Sequence, residues 1–491
     1  MNHNEIHAIR PAALIALAIL FILSCSPEFA QAAPCNPLPP IDPNKTFVTN
    51  FTNPCYAIPL TSSGGGGSFG DPNATYDQFY YAVTPGYELI VMGTFPNARL
   101  LSATVYDTHT AITSIKNDQA LLPLTSSMVN PLLPGNHYVP NQQYGIKVSL
   151  GGGAPQTVSP GCSVSETNIE ANTLDASMIH SGLSWTGYPG LPPGFPPHIT
   201  GPNSGGQMVI RKYVDISESP TETVIVRSLT NGCAIGAQDA LAQGIIRLQE
   251  PRPSPLFDLE QVTAHVYFSQ DIKPSQCWAR DPKNAVVWMR PRDFIQIDNG
   301  DSAGLSGPIN ATRLQEMLSG QTVMRIRFLA PTIPTTPCET GTCTLTGTEQ
   351  LRYFSIAFQF GSTTLTAVKD SDLVKDPNGY VSLIVSMGAP KPAQATPENY
   401  YTYLDLTTIR DYDKFSVLLL RNFSPGPGFM CSSYNVPFHT MEHHSDGGFM
   451  GKYVPTVDFL SGANLPAPST PPSRNDTCGN IPTEPSQSCP F

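Results

Sequence analysis

A block of this chain occurs twice, and this repeat constrains the fold more than any other feature of the sequence. Residues 95–102 return as residues 348–355, so that Arg99 aligns with Arg352. Further matches follow in the same order: Ser102 with Ser355, Thr110 with Thr363, Thr113 with Thr366, Lys116 with Lys369, 148–151 with 385–388, and 209–213 with 419–423. Matches in a conserved order predict the internal duplication of one structural unit.

The composition favours β-structure in both copies. The chain has 50 prolines and 39 glycines, and only 13% of its residues are charged. Surface helices usually carry a charged face, whereas short strands are bounded by Pro and Gly turns. We therefore predict an all-β protein with two duplicated jelly-roll or sandwich-like domains, separated by an insertion that contains short helices.

The repeat and the local composition together predict the domain boundaries. Within the insertion, residues 237–248 and 311–318 are the expected helices. The predicted segments are a signal peptide at 1–32, an irregular arm at 33–75, the first β-domain at 76–215, the insertion at 216–320, the second β-domain at 321–460 and a Pro/Ser-rich tail at 461–491.

The first residues have the features of a secretory signal peptide. Arg10 supplies a positive charge, residues 12–23 are an apolar core, and residues 30–32 are a small-residue site that predicts cleavage before Ala33. The alternative is a lipoprotein anchored through an acylated Cys25. Only this cysteine of the eleven precedes the expected cleavage site, so that cleavage leaves an even number to pair. We therefore expect an exported protein, either extracellular or periplasmic.

Cysteines of an exported chain are expected to form disulfides rather than to bind metal. The short spacing within the segment 338–343 favours a small disulfide loop. The predicted bridges are Cys338–Cys343, Cys35–Cys55 in the arm and Cys478–Cys489 in the tail.

The charge pattern limits the partners. The chain has 27 basic and 38 acidic residues, a formal net charge of −11, and its basic residues form no run. Nucleic-acid binding needs clustered Lys and Arg, so we expect no nucleic-acid partner. After the signal peptide no segment has the roughly 18 apolar residues of a membrane helix. A cell-surface component or another extracellular polymer is the expected partner, and the oligomeric state stays open.

The string F-P-x-A-R-x-x-S-x-x-x-Y-D at residues 95–107 resembles a family of secreted bacterial proteins with no assigned function. The second copy has similar features at residues 351–355, 379–386 and 450–455, the last as M-G-x-Y-x-P. The resemblance implies all-β jelly-roll or sandwich-like domains and adds no catalytic residue. It does not extend to residues 216–320 or to the termini.

The repeated arginine and serine, Arg99 with Ser102 and Arg352 with Ser355, are candidate site residues. Arg is rarely buried unless it is paired, so a repeated Arg at the start of a strand predicts a fixed partner. The partner could be a carboxylate, with Asp107 and Asp370 as candidates, or strand-end carbonyls. Two interpretations remain open: a structural clamp at a sheet corner, or an anchor for the carboxylate of a ligand.

A histidine-rich cluster is the candidate metal site. Imidazole and carboxylate groups are the usual ligands of zinc and copper, and this cluster is followed by an acidic residue. The alternative is a polar loop between strands. Its members are His439, His443, His444 and Asp446.

No other cofactor is expected. An oxygen-rich turn at residues 298–301 could bind calcium, but its Asn-Gly pair is more simply a hairpin turn. The sequence has no P-loop or HExxH motif.

Two functions are compatible with these features. The first is an exported, non-enzymatic β-protein, a structural or surface or ligand-binding module, with tyrosine-rich loops such as residues 400–403 as binding surface. The second is a secreted metal-dependent enzyme that acts on an extracellular polymer such as carbohydrate through the histidine cluster.

Overall fold

The two copies of the repeat form two β-sandwich domains. The computed structural model describes residues 61–62, 71–106, 112–151, 167–176, 205–213, 222–247, 286, 288, 302–334, 345–360, 363–436, 447–461 and 465–466. Strands are the predominant regular structure of these residues and form four sheets, two in each domain, so the predicted all-β, duplicated architecture is confirmed. In the described part, no helix is long and apolar enough to cross a lipid bilayer.

The first domain packs two antiparallel sheets against each other. Its strands are β1 (Thr61–Ser62), β2 (Ala74–Val83), β3 (Tyr87–Thr94), β4 (Leu100–Tyr106), β5 (Ile112–Asn117), β6 (Gln143–Ser149), β7 (Thr173–Asp175), β8 (Gly205–Tyr213), β9 (Thr223–Ser228), β10 (Ala234–Gly236) and β11 (Ile246–Arg247). One sheet has the order β1-β2-β8-β4-β5, with β11 paired to β2, and the other has the order β10-β9-β3-β6-β7. Among the described strands of this domain, only β7 runs parallel to its neighbour.

The second domain repeats this arrangement. Its strands are β12 (Ser302–Pro308), β13 (Val323–Leu329), β14 (Leu351–Phe360), β15 (Thr363–Lys369), β16 (Tyr380–Ser386), β17 (Thr402–Asp405), β18 (Val417–Pro425) and β19 (Thr456–Leu460). The sheets have the orders β12-β18-β14-β15 and β17-β16-β13-β19. The strands β2 to β9 therefore correspond one by one to β12 to β19, and the parallel strand β17 corresponds to β7.

The strand pairing shows that the gapless alignment of the two copies is wrong by one residue after the hairpin connection. Ser102 lies opposite Asn117 in the first domain, whereas Ser355 lies opposite Lys369 in the second. Lys369 is thus equivalent to Asn117 and not to Lys116, which the constant offset predicts. The connection between the two hairpin strands is one residue shorter in the second copy, so every match beyond it shifts by one.

The duplicated unit also extends into the segment predicted as an insertion, 216–320. Strand β9 lies beside β3 within the first domain, and β12 pairs with β18 in the second. These strands are needed because each completes the set of four strands that the corresponding layers of the two sandwiches share. Their sequences share no landmark with their counterparts, which is why the repeat is not visible there.

In the described ranges, three short α-helices lie between strands: α1 (Thr167–Ala171), α2 (Ala237–Ala242) and α3 (Ala311–Leu318). The bounds predicted for α3 are confirmed, and the Asn310 side chain caps its first turn by accepting from Thr312 N. Helix α2 is shorter than the predicted 237–248. It ends because Gly244 adopts a left-handed conformation, with φ 68°, after which β11 begins.

Alternation along the strands separates the two faces of each sheet. On β14, Phe354, Ile356 and Phe358 are buried in the core of the second domain. The intervening Tyr353 and Ser355 face outward, yet both are also buried. Successive side chains of a strand point to opposite faces, so the outer face of this sheet must be covered by another part of the molecule. The cover is the first domain.

Candidate functional site at the interface between the domains

Two reciprocal ion pairs connect the domains. Arg99, which directly precedes β4, pairs with Asp370 of the second domain, and Arg352 on β14 pairs with Asp118 of the first. Both arginines and both aspartates are buried. The pairs are related by the duplication, because each arginine contacts the aspartate that follows the hairpin of the opposite copy.

The local structure explains the position of each aspartate. Asp118 and Asp370 each begin a single 3₁₀ turn directly after β5 and β15. Asp118 Oδ2 accepts a hydrogen bond from Leu101 N, and Asp370 Oδ2 accepts the equivalent bond from Phe354 N. Each carboxylate therefore closes its own hairpin while it binds the arginine of the other domain.

Arg352 makes the more extensive contacts of the two arginines. Its Nη1 donates to Asp118 Oδ1 at 3.2 Å and its Nη2 donates to Asp118 Oδ2 at 3.1 Å. Its Nε also donates to the carbonyl oxygen of Arg99 at 3.0 Å. The planar guanidinium thus binds a carboxylate through two nitrogens and a backbone carbonyl of the same domain, which fixes the orientation of one sandwich against the other.

Burial changes the electrostatics of both pairs. Removal from water raises the pKa of Asp118, and the Arg352 charge and the hydrogen bond from Leu101 act against this rise. Burial raises the pKa of Asp370 in the same way, opposed by Arg99. A lone charge at such a position would be costly, so each ion depends on its partner in the other domain.

An aromatic cluster lies beside the ion pairs. The ring centroids of Tyr213 on β8 and Phe423 on β18 are 4.5 Å apart, and those of Tyr213 and Tyr353 are 5.4 Å apart. Leu100 completes this buried group. Tyr213 and Phe423 occupy corresponding strands of the two domains, so the apolar part of the interface also follows the duplication.

Asp71 breaks this symmetry. The residue precedes β2 of the first domain, but its Oδ2 accepts hydrogen bonds from Tyr353 Oη at 2.9 Å and Ser355 Oγ at 2.6 Å. Arg421 Nη1 lies 3.4 Å from the same oxygen. Ser102, the counterpart of Ser355, is buried, and its Oγ has no hydrogen-bond partner among the described residues.

A second buried cluster of charges lies inside the first domain. Lys212 Nζ is 2.8 Å from Asp77 Oδ2 and 2.9 Å from Glu222 Oε1, which also accepts from Tyr144 Oη at 2.8 Å. Burial raises the pKa of Glu222 to about 7, against the opposing effect of the Lys212 charge. The second domain has Asn422 in place of this lysine, and its Oδ1 accepts from Ser433 N. The cluster can hold and release a proton, but all four side chains are buried.

A cleft of about 280 Å³ opens beside Arg352, between the domains. Its lining includes buried, half-buried and exposed residues. The first domain contributes Gln119, Leu133 and Pro134, and the second contributes Leu345, Gly347, Glu349, Arg352, Ser424, Gly426 and Pro427.

Close backbone contacts shape the cleft. Gly135 N donates to the carbonyl oxygen of Leu345 at 2.7 Å, which joins the two walls. Ser424 has a positive φ of 44°, an unfavourable conformation for a residue with a Cβ. A Cβ at Gly426 would lie only 2.2 Å from the Glu349 carbonyl oxygen, so glycine is required there. Strained backbone of this kind is found more often at functional sites than elsewhere.

Glu349 supplies the ionised carboxylate of the cleft. Its Oε1 accepts from Thr346 N and Thr346 Oγ1, each at 2.7 Å, and its Oε2 accepts from Gly347 N at 2.8 Å. Partial burial opposes ionisation, but these hydrogen bonds outweigh it and lower the pKa of Glu349. The carboxylate keeps its charge at neutral pH and can accept further hydrogen bonds.

The other predicted site residues are distributed as follows. The histidine cluster His439, His443, His444 and Asp446, the oxygen-rich turn at 298–301, and the cysteines of the three predicted bridges lie outside the described residues. Within the described ranges, no group of three or more His, Cys, Asp or Glu side chains is arranged to hold a metal ion. Asp107 is also outside these ranges.

The tyrosine-rich segment is less exposed than its sequence suggests. Tyr401 is buried and packs with Val323 and Ile384 on the outer face of a second-domain sheet. Tyr400 is 40% exposed, and Tyr403 is partly covered by Lys391, whose Nζ lies 5.0 Å from the ring centroid. This part of the chain covers a sheet and presents a single exposed aromatic ring.

Sequence reasoning missed Asp118 and Asp71. The signal for Asp118 was present, since it is the counterpart of Asp370, but a gapless alignment places Asn117 there. Asp71 has no comparable signal, because it lies in a Gly- and Asn-rich segment before the first repeated strand.

Comparisons with known proteins provide no function. No protein-family model matches the chain, and no functionally curated protein matches it. The solved structures that match the chain include an uncharacterised protein from Burkholderia cenocepacia, with 11% identity over 82% of this chain and 84% of the other, and a TM-score of 0.38. They also include a protein from Vibrio parahaemolyticus, with 8% identity over 80% of this chain and 90% of the other, and a TM-score of 0.36.

Proposed function

We propose that this chain is an exported, non-enzymatic binding module whose ligand occupies the cleft between its two domains. The observation that carries the proposal is the fixed geometry of this cleft. Both domains contribute to its wall, and Arg352, which is paired with Asp118, is one of the lining residues. Ligand sites are common between domains, where concave surfaces with a few polar groups arise.

The reciprocal ion pairs support a preformed site rather than a hinged one. Opening the cleft would separate Arg99 from Asp370 and Arg352 from Asp118, which would leave buried charges unpaired. Such a separation costs several kcal/mol, so the domains should behave as one rigid unit. A rigid cleft avoids the cost of ordering its walls when a ligand binds.

Export is part of the proposal and rests on the sequence. The signal-like leader and the even number of cysteines after it are the supporting features. In the periplasm or outside the cell, a tandem sandwich with a fixed cleft would work as a binding module of a surface or secreted system.

A fragment screen on the full-length mature protein tests the cleft. Ligand-observed NMR should identify small molecules that bind the wild-type protein and no longer bind after Leu133→Trp, because the larger ring fills the cleft. Leu122→Trp is the matched control, since Leu122 is exposed and does not line the cleft. Hits that survive Leu133→Trp unchanged would place the binding surface elsewhere and refute the proposal.

A further inference from the structure

Of the two charged side chains that line the cleft, Arg352 is paired with an opposite charge among the described residues and Glu349 is not. Arg352 directs two nitrogens at Asp118 and its Nε at the Arg99 carbonyl, so its positive charge is already neutralised within the protein. Glu349 forms no ion pair among the described residues, and its carboxylate accepts hydrogen bonds from Thr346 and Gly347. The charge that a ligand meets in the cleft is therefore negative.

The remaining wall is apolar and the space is small. Leu133, Pro134, Leu345 and Pro427 surround the polar groups. The volume of about 280 Å³ is close to the lower limit of roughly 300 Å³ for ligand pockets, which suits a compact small molecule and not a polymer chain.

We propose that the cleft binds a small organic cation, a molecule with a compact apolar body and one ammonium group that contacts the Glu349 carboxylate. The apolar body would lie against Leu133, Pro134 and Pro427. This inference rests on the proposed function, because it assigns a ligand class to the same cleft.

Three probes with the same cyclohexyl body and head groups of different charge test the ligand class on the full-length mature protein. They are cyclohexylmethylammonium, cyclohexylmethanol and cyclohexanecarboxylate, each titrated by ligand-observed NMR. The cation should bind about tenfold more tightly than the alcohol, which is the effect of one hydrogen bond to a charged group, and more tightly still than the carboxylate. Raising the salt concentration should weaken binding of the cation and leave the alcohol unchanged.

Variants assign the effect to one carboxylate. Glu349→Gln should reduce affinity for the cation about tenfold and leave affinity for the alcohol unchanged. Glu398→Gln is the matched control, because Glu398 is a fully exposed carboxylate outside the cleft. A thermal melt of each variant shows whether it is folded, and the comparison of the three probes on the wild-type protein needs no variant at all.

The outcomes separate the two proposals. If all three probes bind equally and Leu133→Trp abolishes binding, the cleft is a ligand site and the cation preference is refuted. If the carboxylate binds best, the sign of the ligand charge is wrong. If the cation binds and Glu349→Gln has no effect, Glu349 is not its partner. If no probe binds to the wild-type protein, the cation class is refuted, and the fragment screen then decides the fate of the cleft itself.

Discussion

The guanidinium of Arg99 and the carboxylate of Asp370 are separated by 271 residues in the chain and form an ion pair across the domain interface. In the equivalent pair, the second domain supplies the arginine, Arg352, and the first domain supplies the carboxylate, Asp118. The two pairs relate the domains as the halves of a symmetric dimer are related. A duplication of a chain that once associated with a second copy would produce this arrangement.

The buried ion pairs should contribute strongly to stability. Asp118→Asn leaves Arg352 buried without a charged partner, so we expect the free energy of unfolding to fall by about 3 kcal/mol. Asp370→Asn should have a similar effect through Arg99. Asp372→Asn is the control, because Asp372 is 52% exposed and its contact with Lys369 is a surface pair, for which the loss should stay below about 1 kcal/mol. Urea denaturation of the full-length protein measures all three, and equal losses would contradict the role of the interface pairs.

Two equivalent serines should differ in their contribution. Ser355 Oγ donates to Asp71, so Ser355→Ala leaves a buried carboxylate oxygen with one donor fewer and should cost about 1–3 kcal/mol. Ser102 lies at the corresponding position, where its buried Oγ has no partner in the described part of the chain, so Ser102→Ala should be close to neutral. The same urea titration compares them. If Ser102→Ala lowered the free energy of unfolding more than Ser355→Ala does, the predicted asymmetry between the two serines would be contradicted.

The buried cluster around Glu222 should make stability depend on pH. The pKa of Glu222 is raised from 4.5 to about 7 in the folded protein. Between these two pH values, Glu222 is protonated in the folded state and ionised in the unfolded state. Stability should therefore fall as the pH rises from about 4.5 to about 7, by roughly 3 to 3.5 kcal/mol, and then level off. Glu222→Gln should flatten this part of the profile, and the exposed Glu398→Gln should not. Thermal melts at intervals of pH measure the effect, and an unchanged slope in Glu222→Gln would refute it.

Export and disulfide formation can be checked by mass spectrometry. We expect the mature protein to begin at Ala33 and to contain no free thiol, with Cys338 and Cys343 joined in one bridge. Intact mass before and after reduction, together with alkylation of the denatured protein, measures this. A lipid attached to Cys25, or alkylated cysteines without prior reduction, would overturn the prediction.

The histidine cluster separates the binding module from the metal-dependent enzyme. A metal site would hold close to one zinc or copper ion per chain in the purified protein, and His443→Ala combined with His444→Ala would remove it. The proposed binding module predicts no stoichiometric metal. Elemental analysis of the wild-type protein and the double variant measures this, and one tightly held metal per chain would favour the enzyme.

Much of the fold could be predicted because its signals are local. Pro and Gly turns and alternating strands indicate an all-β chain, and Arg99 with Arg352 marks the duplication. The match between Lys116 and Lys369 failed for a simple reason: a connection that is one residue shorter moves every later position by one. The sequence analysis places β9 and β12 in an insertion because neither strand contains a repeated landmark. Their membership of the two sandwiches depends on strand pairing, which the repeated residues do not indicate.

The sequence by itself determined that the chain is built from two copies of one β-unit, and that each copy carries an arginine which requires a partner. Only the tertiary structure decided which partner that is. Asp370 lies close to Arg352 in the sequence, yet it binds Arg99, because the outward faces of β4 and β14 are packed against each other. The choice depends on the packing of two sheets, since a charge becomes costly to leave unpaired only where that packing removes it from water.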